Sequence, residues 1–200
     1  MKQEDVWNAI AASWKERREE PMKEVAEFLE GKKGNLLDLF CGTGRHFPVH
    51  WEGMVYGADF SEEMLKYAKV KAQETGINFS LQKMENERID AKDNFFDIAI
   101  FISGLHCVET AEKRKLIIKE LFRVMKPRAK ALISVWSKNQ SRLKNKPKES
   151  EIPWTISRKK YSRYNYIFDI EELKSLLKSA GFKIVKAWEN ANIFVIAQKP

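Results

Sequence analysis

Apolar residues Val6, Ile10, Trp14, Val25, Phe28 and Leu29 recur at roughly helical spacing, so residues 4–29 read as helix. Pro21 splits that stretch in two, and Gly31 and Gly34 end it. The pattern then changes. Asn35–Phe40 is a short apolar run that suits a buried strand, and Met54–Asp59 and Ile77–Leu81 suit two more. Between them Ser61 caps a helix over 62–75 whose first turn carries Glu62 and Glu63. Phe95–Ile102 is the most continuously apolar segment, as expected of a central strand. Helix 110–125 follows, and Ala129–Trp136 is a fifth strand. Asp169 caps helix 170–180 and Gly181 ends it. Phe182–Trp188 and Ile193–Gln198 are joined by so short a turn that they must pair antiparallel. Strands alternating with helices, closed by a hairpin, predict an α/β fold: a doubly wound, mostly parallel seven-stranded sheet with one antiparallel edge strand. Residues 1–200 read as one domain.

Composition narrows the class. Of 200 residues 44% are apolar and 23 are aromatic, which excludes a disordered chain. No apolar run reaches the roughly 20 residues of a membrane span, and residues 1–20 have no signal-peptide core. A soluble, cytoplasmic protein is therefore expected. Cys41 and Cys107 are too few for a disulfide framework, and both read as buried, reduced thiols.

The net charge of +8 is unevenly placed. Residues 138–166 hold nine Lys and Arg against Glu149 and Glu151, so this basic insertion carries +7 of it. Trp154, Tyr161, Tyr164 and Tyr166 are interleaved with the cations. Phosphate contacts beside stacking surfaces suit single-stranded RNA.

Ligands of such a sheet collect where the winding reverses, at the carboxyl end of the first strand. Asp38 and the turn Cys41-Gly42-Thr43-Gly44 stand there. Gly42 and Gly44 let backbone approach a ligand closely, and a following helix is expected to offer free N–H groups. Asp59 ends the second strand, where it can accept hydrogen bonds from ribose hydroxyls. A dinucleotide fingerprint would need a third glycine where Phe47 stands. Asp38 suits an ammonium group rather than a pyrophosphate.

These motifs resemble those of class I S-adenosylmethionine-dependent methyltransferases, which have a Rossmann-like fold. That resemblance implies S-adenosyl-L-methionine as cofactor, bound by Asp38, Cys41, Gly42, Gly44 and Asp59, with Met84 and Glu85 at the adenine; Lys83 stands where many members have Asp. Ile10-Ala11-Ala12-Ser13-Trp14 with Arg17-Arg18, Leu105-His106, Ser134-Val135-Trp136, Pro153-Trp154, Arg163–Phe168 and Asn192 are similar in order and spacing to the tRNA wobble-uridine (carboxymethyluridine) methyltransferases. The chain departs from them at Trp7, often Tyr, at Cys107, often His, and at Pro127-Arg128-Ala129, where Pro-Gly-Gly is usual. The implied reaction is methylation of a carboxyl on a modified anticodon-loop uridine of tRNA. Arg18, His106 and Arg163 are then the catalytic candidates, with a guanidinium clamping the carboxylate. Trp136, Lys159, Lys160, Tyr164 and Asn192 are the substrate-binding candidates. The resemblance also implies a small zinc-binding activator protein as partner. Two alternatives stay open: a small-molecule methyltransferase of the same fold, and a non-catalytic RNA-binding relative.

Overall fold

A computed structural model describes all 200 residues. Two amphipathic helices open the chain, α1 (Gln3–Arg17) and α2 (Lys23–Leu29), separated at Pro21. Strands β1 (Gly34–Leu39) and β2 (Gly53–Asp59), helix α3 (Glu62–Thr75) and strand β3 (Asn78–Lys83) follow. Ser61 caps α3 through the Met64 N–H. Next come β4 (Phe96–Ile102), a single 3-10 turn at Leu105–Cys107, α4 (Ala111–Val124) and β5 (Met125–Trp136). The basic insertion contributes β6 (Glu149–Ile156) and β7 (Lys159–Tyr166), and α5 (Ile170–Ser179), β8 (Lys183–Glu189) and β9 (Asn192–Gln198) complete the chain.

The seven-stranded sheet has the order β3-β2-β1-β4-β5-β9-β8. β1, β2, β3, β4 and β5 pair in parallel, and β9 runs antiparallel to both β5 and β8. The mostly parallel sheet with its closing antiparallel pair at one edge is the predicted one; the reversed strand itself, β9, is hydrogen-bonded on both sides and β8 lies outside it. The winding reverses between β1 and β4, where parallel crossovers leave on opposite faces. One core forms beneath α4 and α5, through Ile117, Leu121, Leu173 and Leu177, and the other beneath α2 and α3, through Val25, Phe28, Ala68 and Ala72.

α1 belongs to neither layer. Its Trp7, Ile10 and Ala11 pack on Met64 of α3, on Cys107 and on Trp154 of β6, so it lies across the carboxyl ends of the strands. Asp97 is structural: it bridges Lys126 at 2.6 Å and accepts the Asn35 N–H at 2.8 Å. Arg128, where the resembling family has glycine, lies within β5 rather than in a turn and has φ +68°. Both cysteines are buried free thiols, and no helix is long and apolar enough to cross a membrane.

Two expectations are corrected. No helix follows the glycine turn: residues 40–52 form turns, because Pro48 interrupts the short link to β2. The basic insertion is not only a cationic loop: most of it, residues 149–166, is the β6–β7 hairpin, whose Trp154 is buried against α1, its indole N–H donating to Ser13 Oγ at 2.8 Å. That ring is therefore withdrawn as an RNA-stacking surface.

Candidate functional site

The site begins with the backbone of the glycine turn. Phe40, Gly42 and Gly44 all have positive φ, +55°, +55° and +75°, which folds the chain back at the end of β1. Nothing lies within 4 Å of where a Cβ on Gly42 would sit, so this residue faces open space. The turn is held by the acid of the neighbouring strand: Asp59 Oδ2 accepts the Gly42 N–H at 2.8 Å and Oδ1 accepts the Ser61 N–H at 2.9 Å. Burial pushes the Asp59 carboxyl up to about 6, against the pull of those N–H groups. Asp38 is also raised, by burial first and then by the charge of Asp59, with Arg45 opposing. Its Oδ2 is buried and has no partner, so an unused acceptor stands under the turn.

A cavity lies over this turn, lined by Cys41, Gly42, Asp59, Trp7, Trp14 and Phe60 among others. It continues past Phe40, Phe60 and Cys107 into a second cavity of about 530 Å³, which Met84 and Glu85 line. Of the predicted cofactor residues, Cys41, Gly42, Asp59, Met84 and Glu85 line these cavities, with Asp38 just beneath the lining and Gly44 outside it. Gly44 serves packing, since a Cβ there would meet Phe47 at 2.7 Å. Lys83 is bound to Glu4 and Glu62, each at 2.9 Å, and ties α1 to α3 at the rim.

On the other side the glycine-turn cavity adjoins a third, of about 520 Å³, sharing Trp14, Arg45 and Ser103 with it. Arg18, Trp136 and Asn192 line this cavity, so three of the sequence candidates converge from the C-cap of α1, from β5 and from β9. Arg45 and Arg142 line it too, and neither had been singled out. Arg45 directly follows the glycine turn, a place that could have revealed it. Arg142 was indistinguishable within a run of lysines.

Arg163 lies behind this wall. It is 2% exposed, and its guanidinium faces Trp154 at 4.9 Å, Trp14 at 5.4 Å, Trp7 at 5.6 Å and Trp136 at 5.7 Å. No carboxylate pairs with it, its Nε has no partner, and burial lowers it to about 10. His106 is buried beside it, its ring tilted 32° to that of Trp136 at 4.6 Å, with Nδ1 accepting the Trp136 backbone N–H at 3.4 Å. Burial, then the nearby Arg163 and Arg142, push it down to about 3, so the imidazole is neutral.

The remaining candidates lie apart from the cavities. Lys159 and Lys160 are exposed at the hairpin tip. Tyr164 is half-buried, its N–H donating to Gln3 and its hydroxyl accepting from Arg114.

A family model described as a methyltransferase domain matches residues 30–181. The chain is similar to a tRNA (carboxymethyluridine(34)-5-O)-methyltransferase of Arabidopsis thaliana, with 32% identity over 68% of this chain and 32% of the relative. A Schizosaccharomyces pombe protein of the same name is 24% identical over 97% of this chain and 94% of its own length. The chain thus spans about a third of the first of these relatives and nearly all of the second. Among solved structures, a SAM-dependent methyltransferase from Aquifex aeolicus matches the fold with a TM-score of 0.69, at 23% identity over both whole chains.

Proposed function

The chain belongs to the methyltransferase-domain family, and from that premise we propose that it is an S-adenosylmethionine-dependent methyltransferase acting on tRNA, on the carboxyl of a modified wobble uridine. The observation that carries this reading is the arginine-lined cavity opening into the glycine-turn cavity through Trp14, Arg45 and Ser103.

The residues fit the cofactor. Asp38 has a free buried carboxylate oxygen for an ammonium group, Gly42 leaves room for a close approach, and Asp59 has lone pairs left for ribose hydroxyls. Met84 and Phe40 offer apolar surface to a base in the second cavity. When bound, the group supplies a methyl already activated on a sulfonium.

A carboxylate is deprotonated at neutral pH, so the chain has no proton to remove. Its residues have to bind, orient and exclude water. Arg18 presents a guanidinium in the substrate cavity, suited to two parallel hydrogen bonds with a carboxylate. Arg163 adds charge from behind the tryptophans. Neutral His106 fixes Trp136 rather than serving as a base, and Trp7 and Trp14 keep the glycine-turn cavity dry.

The hairpin tip, Arg158, Lys159 and Lys160, supplies phosphate contacts outside the cavity. A zinc-binding activator, as the resemblance implies, belongs to the same reading.

Incubation with labelled S-adenosylmethionine and bulk tRNA, with and without a candidate activator, tests it. Expected is label in one modified uridine, released by mild alkali as an ester must be. No label in tRNA under either condition, or label stable to alkali, overturns the carboxyl reading.

A further inference from the structure

Arg18, Arg45 and Arg142 line one cavity whose wall carries no Asp or Glu. None of the three makes an ion pair, and neither does Arg163 behind them. Arg45 donates its Nε to the neutral His46 at 3.0 Å, and Arg142 its Nε to Gln140 at 2.9 Å. Neither fork forms an ion pair, and the one acid whose charge reaches Arg45 is the buried Asp38 beneath the glycine turn. Three cations facing one space repel one another, and a single carboxylate answers one of them.

Their depths differ. Arg45 lines both the glycine-turn cavity and this one, so it stands at the junction. Arg142 is exposed, at the outer side, stacked over Trp136 at 4.1 Å. Arg18 lines the same cavity, and its charge weakens the protonation of both others, although burial is the larger cause for each.

We propose that this cavity is a two-anion site for a single nucleotide: Arg45, with Arg18, takes the carboxylate on the base at the junction, and Arg142 takes a phosphate of the same nucleotide at the mouth. The proposal rests on the tRNA reading above and adds that the enzyme distinguishes a nucleotide in a chain from a free nucleoside. The planar fork suits both anions, and stacking on Trp136 holds the Arg142 fork in place without neutralising it.

Calorimetry on the full chain at fixed ionic strength tests this with three probes: 5-carboxymethyluridine, its 3′,5′-bisphosphate, and uridine 3′,5′-bisphosphate. The carboxylated bisphosphate is expected to bind at least about tenfold tighter than the nucleoside. Arg142→Gln should cut that ratio below about threefold by weakening the bisphosphate far more than the nucleoside; Arg142 is exposed, so folding is not at stake. Arg45→Gln should weaken both carboxylated probes at least about tenfold and uridine bisphosphate less than about threefold. Arg45→Lys, which keeps the charge and loses the fork, should fall between and stands in if the Gln variant does not fold. Equal affinity for nucleoside and bisphosphate, an unchanged ratio in Arg142→Gln, or no binding of any probe overturns the proposal. Methylation of bulk tRNA, measured alongside, separates the two ideas: if it persists while the ratio is absent, the tRNA reading stands and the two-anion site falls.

Discussion

At the residue scale, the glycine turn separates two jobs that one motif hides. Both glycines have positive φ, which costs an L side chain about 1–2 kcal/mol, but only Gly44 is also enclosed. Gly42→Ala should lower the unfolding free energy by about 1 kcal/mol and weaken cofactor binding at least about tenfold, because its methyl would occupy open cradle space. Gly44→Ala should cost more stability, about 2–4 kcal/mol, since Phe47 and the Ala68 backbone stand in its way. Urea unfolding and calorimetry on the two variants read the contrast. Asp59 adds a pH dependence. Its carboxyl is raised on folding to about 6, so the folded chain takes up that proton before the unfolded one does. Its stabilising contribution is full below about pH 4 and is lost as pH rises through about 6, up to about 3 kcal/mol in all. The difference in unfolding free energy between wild type and Asp59→Ala should therefore move in favour of wild type from pH 7.5 to pH 5. Cofactor affinity should fall over the same range, as the ribose acceptor is protonated. An opposite slope in urea titrations at the two pH values contradicts the sign. Asp38, Gly42 and Asp59 were legible because a turn needing positive φ and an acid at a strand end leave direct marks in sequence. Arg18, Arg45 and Arg142 were harder to group, because their convergence depends on three separate connections.

At the element scale, the β6–β7 hairpin is where sequence reading fell short, and the cause is physical. Strand alternation is visible when inward residues are apolar. Here the inward row of β7 includes Arg163 and Asn165, 2% and 1% exposed, so the buried face looks polar. The hairpin closes the site by laying that row against α1. Arg163 has no carboxylate partner, and burial costs the guanidinium more than its surroundings return. Arg163→Met should therefore leave stability unchanged or raise it by about 1 kcal/mol or more while methyl transfer falls at least about a hundredfold. A thermal midpoint lowered by several degrees would show instead that Arg163 holds the hairpin in place. The tip behaves differently. Replacing Arg158, Lys159 and Lys160 by Gln touches only exposed side chains, so unfolding should change by less than about 0.5 kcal/mol. The slope of log tRNA affinity against log salt should flatten by about 2–3, with cofactor affinity unchanged. Filter binding over a salt series measures it.

At the scale of the whole molecule, the sheet order could be read because each strand is a short apolar block bounded by turn residues, and the parallel crossovers then allow few arrangements. The order places the carboxyl ends of β1, β2, β4 and β5 along one rim, and the charge is distributed accordingly. The 29-residue insertion holds +7 of the +8 and is folded beside that rim, so outlying cations lead inward to a cavity lined by arginines. Four of the six tryptophans also gather there: Trp7, Trp14, Trp136 and Trp154 surround Arg163, while Trp51 lies in the α2–α3 core and Trp188 stacks on Phe194. The chain thus has an optical reporter built into its site. Changes in field or water at either cavity reach indoles that line it, whereas Trp51 and Trp188 provide a steady background. Emission should shift on cofactor addition through Trp7 and Trp14 and on anion binding through Trp136 and Trp14, and Trp136→Phe should reduce the second signal to the share of Trp14 while sparing the first.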